Sequence, residues 1–596
     1  MSAREPTMQT NRIQSLRRGF FQRLERFFNR SELTLMLKGF RREFYTVGLF
    51  SMVSNVLMLT PTLYMLQVFD RVLASQNVFT LIALSAIALF MFAIMSFTEW
   101  MRSRLLVRAG VRLDAEINSR VFNAAFEAHL NRSETDPSEA FSDLTHIRQF
   151  LTSSGVFAFF DAPWTPIYIF VLWIISPWLG VLGIAFSVVF VLLTYVTHQL
   201  TEGSSKTVLE SASQVSQYAQ SKLRNAEIIE SLGMLDNLRH RWLARYKQHL
   251  REYSASQDIL RRVFAVSKFV RYSQQSIVLG AAAVLVIQGD LTPGAMIAAN
   301  VLVTRALQPL DSIVGAWKGF FAARISFERL ESLLETHPER TGGVAHGEPR
   351  GHVRIQELVA TAPGRAQPIL RGLDADFPAG EIIGIVGPSG SGKSTLARCL
   401  VGVWPESGGS VLLDGQPLNS WNRIELGPHI GYLPQEIELF EGTIAENIGR
   451  FGKIDPGKVI EAAKLATLHD MILRFPKGYD TPMGEAGGMI SGGQRQRIGL
   501  ARAMYGNPAL LVLDEPNANL DEAGEKALAK AVIGLKSQGK TVFLITHRKQ
   551  ILVIADRILV LREGAIAAYG TREEVLPSLM PRPVAQLPAA TVPKPA

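Results

Sequence analysis

The stretch that decides the fold of the C-terminal half is Gly387-Pro388-Ser389-Gly390-Ser391-Gly392-Lys393-Ser394-Thr395, which has the spacing G-x-x-x-x-G-K-[ST]. The apolar run before it, 382–386, predicts a buried strand, and 395–400 predicts the first turns of a helix. Glycines let backbone N–H groups close around phosphates, and a helix N-terminus adds a partial positive charge. We therefore expect a nucleotide site in which Lys393 reaches the β- and γ-phosphates and the Ser394 hydroxyl ligates Mg²⁺.

Two further apolar runs end in polar side chains. The run 510–513 precedes Asp514 and Glu515, and the run 542–546 precedes His547. We expect the first of these strands to lie beside the phosphate-loop strand, with Asp514 near Mg²⁺ and Glu515 orienting or deprotonating the attacking water. His547 is predicted to contact the γ-phosphate. Any one of these side chains alone would read equally well as a strand-end surface group, so the prediction depends on their convergence.

A second anion-binding helix start is predicted at Ser491-Gly492-Gly493-Gln494. The chain thus has two such starts but only one lysine-bearing loop. The economical interpretation is that the second start binds the γ-phosphate of a nucleotide held by another copy of the chain. Gln435 is a weak signal alone, and its weight comes from its position between the two motifs.

The N-terminal half is apolar enough to enter a membrane, in a chain of 596 residues that is 47% hydrophobic and 19% charged. Stretches of spanning length are predicted near 45–69, 78–100, 157–176, 179–198, 264–288 and 292–314. The last two are weaker, because Lys268, Arg271, Arg305 and Asp311 interrupt or flank them. Arginines and lysines concentrate in the two long loops, so the positive-inside rule places those loops and both termini in the cytoplasm.

The remaining segments set the domain limits. Residues 1–43 are basic, with phenylalanines at helical spacing between 20 and 28, and predict a helix that lies either on an anionic membrane lipid surface or on the protein itself. The transmembrane domain is expected at 44–330, a linker at 331–350, an α/β domain at 351–578 and a Pro/Ala-rich tail at 579–596. Cys399 is the only cysteine, so a disulfide framework is excluded.

Taken in order, the motifs of the C-terminal half resemble the nucleotide-binding domain of an ATP-binding-cassette (ABC) transporter. The phosphate loop, Gln435, the 491–494 turn, Asp514-Glu515, the turn Asn519-Leu520-Asp521 and His547 carry the resemblance. It implies that Asp521 also contributes to the nucleotide site and that Gln435 joins Ser394 and Asp514 as a Mg²⁺ ligand. It further implies an α-helical six-span exporter domain joined to an α/β P-loop domain, working as a homodimer with ATP between the copies.

The stretch 481–485 (TPMGE) resembles the loop by which the nucleotide-binding domain of ABC exporters contacts the membrane domain. Within exporters, two motifs are similar to those of type I secretion ATPases, in particular the subgroup that exports proteases, lipases and haem-binding proteins. They are the stretches 65–73 (MLQVFDRVL) and 160–168 (FDAPWTPIY). The resemblance implies ATP-driven export across the inner membrane of a polypeptide with a C-terminal signal, through a periplasmic membrane-fusion adaptor and an outer-membrane channel. The alternative is a stand-alone exporter of lipid or small molecules. A soluble ATPase acting on nucleic acid is excluded by the apolar spans.

The chain departs from the ABC pattern at one position. These domains usually carry an aromatic side chain upstream of the phosphate loop that stacks on adenine, and Ala362 stands at that place. Without a π-face there, we expect loose base selectivity, so that GTP competes with ATP.

Overall fold

The structure is a computed structural model that describes residues 31–131, 137–223, 225–339, 346–362, 367–404, 407–484, 490–518, 520 and 522–579. It divides into a helical unit that ends at Glu339 and a mixed α/β unit that begins at Arg340. This division falls inside the predicted 331–350 linker. The start of that linker was placed too early, because the last helix of the helical unit continues to Thr336.

The helical unit consists of long helices joined by short turns. Its helices are α1 (Glu32–Gly39), α2 (Arg41–Leu57), α3 (Thr60–Gln67), α4 (Leu73–Ser75), α5 (Val78–Leu130), α6 (Pro137–Thr152), α7 (Gly155–Asp161), α8 (Thr165–Ile175), α9 (Pro177–Leu223), α10 (Ala226–Ser231), α11 (Leu235–Ile287) and α12 (Pro293–Thr336). Most exceed the predicted spans at one end, because helical spacing of apolar residues continues into the charged loops.

Five helical segments of the described chain are long and apolar enough to cross a membrane: Arg41–Ser75, Val78–Leu130, Gly155–Ile175, Pro177–Leu223 and Leu235–Ile287. Helix α12, which contains the predicted sixth span, is not among them, and its predicted span includes Arg305 and Asp311. The count of six spans therefore stays a prediction. Large side chains such as Phe90, Ile174 and Leu192 are exposed on these helices, as suits a lipid-facing surface.

The N-terminal end of α12 is held by Asp70, which lies between α3 and α4. Between α3 and α4 the chain makes a π-helical turn, Val68–Val72, which contains Asp70. The Asp70 carboxylate accepts hydrogen bonds from the Thr292 hydroxyl at 2.5 Å and from the Gly294 N–H at 2.9 Å. A Cβ on Gly294 would lie only 2.4 Å from Asp70 Oδ1, so this approach requires glycine. The aspartate of the 65–73 motif thus caps the first turn of α12.

The aspartate of the 160–168 motif also connects helices through polar contacts. Asp161, at the end of α7, pairs with Arg102 of α5 at 3.0 Å and accepts a hydrogen bond from Asn55 of α2 at 2.7 Å. The Tyr168 hydroxyl of α8 donates to the Asn55 backbone carbonyl at 2.7 Å. Four helices therefore meet at one largely buried polar network, which supplies partners for groups that would otherwise be costly to bury.

The C-terminal end of α12 is held by Arg120 of α5, which also pairs with Glu32 of the N-terminal helix α1. Arg120 of α5, with only 7% of its side chain exposed, donates to the Leu334 carbonyl at 3.2 Å and the His337 carbonyl at 2.7 Å, and pairs with Glu32 at 3.0 Å. Leu33 is buried in the same cluster. Residues 31–40 therefore pack on the protein. The phenylalanines between 20 and 28 lie outside the described residues.

The mixed unit has two sheets. A four-stranded antiparallel sheet has the order β2-β1-β4-β5, and a six-stranded, mostly parallel sheet has the order β10-β9-β3-β8-β7-β6. The strands are β1 (Val353–Thr361), β2 (Pro368–Phe377), β3 (Ile382–Val386), β4 (Ser407–Leu413), β5 (Gln416–Pro417), β6 (Ile430–Leu433), β7 (Leu510–Asp514), β8 (Thr541–Ile545), β9 (Arg557–Arg562) and β10 (Ala565–Thr571). Apolar clusters cover both faces of the parallel sheet, which explains its unbroken Ile, Leu and Val runs.

The helices of the mixed unit connect these strands. They are α13 (Lys393–Leu400), α14 (Arg423–Leu426), α15 (Ile444–Ile448), α16 (Pro456–Leu465), α17 (His469–Ile472), α18 (Gly492–Met504), α19 (Glu522–Ser537), α20 (Lys549–Leu552) and α21 (Arg572–Leu579). The α/β fold predicted for this part of the chain is confirmed.

One sheet neighbour was predicted wrongly. Strand β7, which leads to Asp514, pairs with β6 and β8 and does not touch the phosphate-loop strand β3. Strand β8, which leads to His547, lies between them and pairs with both. Because parallel strands end at the same edge of the sheet, the side chains after β3, β7 and β8 still converge. Strand order depends on long-range pairing, which local apolar runs do not encode.

Candidate nucleotide site

The phosphate loop joins β3 to α13 in the predicted order of strand, loop and helix. Gly390 and Gly392 have φ of 78° and 97°, in the left-handed region that glycine adopts without steric cost. A Cβ on Gly387 would lie 2.2 Å from the Leu561 carbonyl oxygen, so a side chain is excluded there as well. Cys399 is buried in the following helix, and burial raises the pKa of its thiol to about 12.

Lys393 begins α13, and its ammonium folds back over the loop. Its Nζ donates to the carbonyls of Gly387 at 3.0 Å and Pro388 at 2.9 Å. Burial lowers the pKa of Lys393, while the nearby Glu515 and Asp514 carboxylates raise it. The loop therefore contains a partly desolvated cation, which suits it to an anionic ligand, and the two carboxylates favour the charged form of that cation.

Asp514 ends β7 with only 2% of its surface exposed. Burial raises the pKa of its carboxyl group, which a hydrogen bond with the Ser394 side chain partly offsets. Its Oδ1 atom is buried and has no hydrogen-bond partner among the described residues. An unpartnered buried carboxylate oxygen beside a serine hydroxyl is the hard oxygen donor set that Mg²⁺ prefers. These two residues fit the metal that the sequence predicts.

Glu515 and His547 form a contact pair across the strand ends. His547 Nε2 lies 3.1 Å from Glu515 Oε1, with both side chains partly exposed. Glu515 has φ of 49°, a left-handed conformation that costs about 1–3 kcal/mol for a residue other than glycine. Its N–H donates to the Ile545 carbonyl at 3.0 Å, which ties the turn to β8. The backbone thus aims this carboxylate away from the ordinary strand direction.

The predicted second helix start is present. Ser491 is the N-cap of α18, and its hydroxyl accepts from the Gln494 N–H while Gln494 Oε1 accepts from the Ser491 N–H at 2.9 Å. No hydrogen bond joins this capping box to the phosphate loop within the described chain. Gly492 and Gly493 form the first turn of the helix, so the 491–494 turn keeps free N–H groups at a helix N-terminus.

The remaining predicted residues are placed as follows. Gln435 is exposed just beyond β6, at the same sheet edge as Asp514. Pro388 and Ser389 lie in the phosphate loop, Ser391 has a buried hydroxyl without a partner among the described residues, and Thr395 is buried in α13. Asp521 lies outside the described residues.

Sequence reasoning missed three residues that organise the site. Gln496 of α18 donates to the Glu515 carbonyl at 3.3 Å, which links the 491–494 helix to the strained turn of the same chain. The buried Thr546 hydroxyl donates to Asn517 Oδ1 at 3.1 Å and joins the turns after β7 and β8. Trp404 Nε1 donates to the Thr361 carbonyl at 2.9 Å, so an indole lies beside the residue before Ala362. No local pattern marks such contacts between distant segments.

Comparison with known proteins supports both units. The model of the ABC transporter family matches residues 370–518, and the model of the ABC transporter transmembrane region matches residues 44–310. A solved structure of a bacterial Atm1-family ABC exporter with ATP bound has a TM-score of 0.81 and covers 91% of this chain and 97% of its own, at 24% identity. At that identity the likeness establishes the fold.

Two curated relatives match nearly the whole chain. The type I secretion system ATP-binding protein PrsD of Rhizobium meliloti is 41% identical over 91% of this chain and 93% of its own length. The leukotoxin translocation ATP-binding protein LktB of Bibersteinia trehalosi is 30% identical over 90% of this chain and 77% of its own length. Together with the phosphate-loop geometry, these matches show that the chain belongs to the ABC transporter family, as a multi-pass membrane protein whose ATP hydrolysis is coupled to transport.

Proposed function

We propose that the protein is the ATPase and permease of a type I secretion system, which exports a polypeptide across the inner membrane. The observation that carries the proposal is the 41% identity to PrsD, because it extends over the membrane region as well as the ATPase domain. The 65–73 and 160–168 motifs, which resemble those of type I secretion ATPases, also supply two aspartates that join helices of the helical unit.

In the proposed mechanism, the phosphate loop and Lys393 bind the phosphates of ATP. Ser394, Asp514 and Gln435 would hold Mg²⁺, which neutralises phosphate charge. Glu515 orients the attacking water and accepts its proton, and His547, already 3.1 Å from Glu515, contacts the γ-phosphate. Asp521 lies outside the described residues and is proposed as a further contact.

The transporter is proposed to act as a homodimer. In each site the phosphate loop of one copy faces the 491–494 turn of the other, which would provide the N–H groups of the α18 N-terminus for the γ-phosphate. We propose a periplasmic membrane-fusion adaptor and an outer-membrane channel as partners, and cytoplasmic termini. The cargo would be a polypeptide with a C-terminal signal.

A stand-alone exporter of lipid or small molecules is the second candidate. It is favoured only by the fold shared with the Atm1-family exporter, which is compatible with several cargo classes. The similarity to PrsD and LktB makes it the weaker of the two.

The test compares cells that carry the parent chain with cells that carry Glu515→Gln. We expect specific proteins to disappear from the culture medium in the variant, and an adaptor and an outer-membrane channel to co-purify with the parent under substrate load. An unchanged set of extracellular proteins together with altered membrane lipid composition would overturn the proposal in favour of the second candidate.

A further inference from the structure

A polar groove lies between the C-terminal part of α9 and the N-terminal part of α11. The cavity has a volume of ≈ 620 Å³, which is within the range typical of ligand sites. Apart from Val215 and the cation Arg245, its walls are uncharged hydrogen-bonding side chains: Ser211, Gln214, Gln217, Tyr218, Ser221 and Gln248. Such a lining can satisfy peptide groups without demanding particular side chains.

Arg245 has no carboxylate partner within the described chain. Other basic residues of these helices do: Arg239 pairs with Asp236, and Lys206 with Glu210. The residues one helical turn from Arg245 are Arg241, Trp242, Gln248 and His249, none of which is acidic. Its guanidinium instead lies 4.2 Å from the centroid of the Tyr218 ring.

A second cation shares that ring. Lys222 Nζ lies 5.2 Å from the Tyr218 centroid, so two positive charges lie near one aromatic side chain, and no anion among the described residues pairs with either. Each cation is attracted by the aromatic ring, but the repulsion between the two positive charges destabilises this arrangement. A bound anion would reduce that repulsion.

The groove is held in shape by contacts at one end. The Ser211 side chain of α9 is hydrogen-bonded to His249 of α11 at 2.9 Å, and Trp242 stacks on Tyr246 with ring centroids 5.0 Å apart. The Arg245 guanidinium carbon lies close to the Tyr218 ring, and no acceptor within the described chain pairs with the guanidinium N–H groups. The donors that can bind a carboxylate as a fork are therefore not used by the described residues.

We propose that this groove binds the carboxylate of an extended polypeptide, with Arg245 as the anchor and the glutamine and serine side chains on its backbone. The inference rests on the proposed function, since an exported polypeptide has one C-terminal carboxylate whatever its sequence. Acidic side chains carry the same group, and the experiment distinguishes the two sources.

The test measures binding to the purified full-length transporter by fluorescence anisotropy. The probes are three short Gly/Ser/Gln peptides with a net-neutral dye at the N-terminus: one with a free C-terminal carboxylate, one amidated, and one amidated with an internal Glu. We expect either carboxylate peptide to bind about fivefold more tightly than the plain amide, as for a partly exposed ion pair. Preference for the free acid identifies the chain end as the source, and preference for the Glu peptide identifies a side chain.

Arg245→Gln should abolish the preference, and Arg245→Lys should retain part of it. Arg239→Gln on the same helix removes an equal charge that already has a partner, and should keep the parent preference. Elution of each variant as the parent species shows that the fold is intact. Equal affinity of the parent for all three peptides, or binding of none of them, overturns the site but not polypeptide export, which the comparison of extracellular proteins tests separately.

Discussion

Glu515 combines two features that a surface carboxylate at a strand end does not need. Its backbone is left-handed at a φ of 49°, and its side chain contacts His547 at 3.1 Å. The strain is maintained because the Ile545 carbonyl and Gln496 hold the turn from two sides. A residue kept in an unfavourable conformation beside a phosphate loop fits the role of orienting water.

We expect Glu515→Gln to bind ATP as the parent does while phosphate release falls by at least about 100-fold, because an amide cannot accept the proton. Nucleotide binding and phosphate release are measured on the same preparation. Glu522→Gln is the matched control, since among the described residues Glu522 pairs only with the exposed Lys526. Hydrolysis by Glu515→Gln at the parent rate would contradict the assignment.

The side chain at position 362 should set the contribution of base stacking. We expect GTP to compete with ATP in the parent, and Ala362→Tyr to tighten ATP binding about fivefold if stacking contributes about 1 kcal/mol, the lower end for aromatic–base contacts. Ala362→Leu adds bulk without a π-face and should leave the affinity near that of the parent. Exclusive ATP binding by the parent would show that another group, such as the nearby Trp404 indole, already selects the base.

At the scale of elements, helix α12 is fixed at both ends by charged side chains from other helices. Asp70 caps its first turn, and Arg120 binds the carbonyls at its last. A negative charge at a helix N-terminus and a positive charge at its C-terminus both interact favourably with the helix dipole and stabilise the helix. The two ends of this helix are therefore defined by tertiary contacts as much as by its own sequence.

Asp70→Ala should lower the free energy of unfolding by about 1–2 kcal/mol, because the Gly294 N–H and the Thr292 hydroxyl lose their acceptor. Thermal unfolding in detergent measures the change. Asp290→Ala is the control, since Asp290 is exposed and its side chain makes no hydrogen bond in the described chain. Equal melting temperatures for the two variants would show that the cap contributes nothing.

Arg120→Gln should cost about 2 kcal/mol or more, because the buried guanidinium serves two carbonyls and Glu32 at once. By contrast, Arg112→Gln removes a residue whose side chain is 61% exposed, and should change stability by less than about 1 kcal/mol. Both are compared by thermal unfolding. A loss for Arg112→Gln as large as that for Arg120→Gln would contradict a specific role for the buried pairing.

At the scale of the whole molecule, a dimer with shared sites makes a prediction about mixed copies. Lys393→Ala and Ser491→Arg should each abolish hydrolysis, because every site of either homodimer lacks one half. A mixed dimer of the two variants contains one site with both halves intact and should hydrolyse ATP well above either variant. Phosphate release from co-expressed, doubly tagged dimers measures this.

The control for mixing is a dimer of Lys393→Ala with a copy that carries both changes, which has no intact phosphate loop. Activity of the first mixture no higher than that of this control would argue against shared sites.

Much of this architecture could be predicted from local patterns. The strand, loop and helix around Lys393 and the helix start at Ser491 are set by residues within a few positions of one another, and both are confirmed. The neighbour of β7, the left-handed turn at Glu515 and the Arg120 contacts were not predicted. Each depends on segments far apart in the chain, whose pairing leaves no periodicity to detect.

The burial of Cys399 has a practical consequence for chemistry at the surface. It is the only thiol of the chain, and with a pKa of about 12 it carries almost no thiolate at neutral pH. We therefore expect the native transporter not to react with maleimides, so that its own cysteine need not be replaced before labelling. A cysteine introduced on an exposed helix would be the single labelling site of each copy, so that a spin or dye pair could report the distance between two copies during turnover.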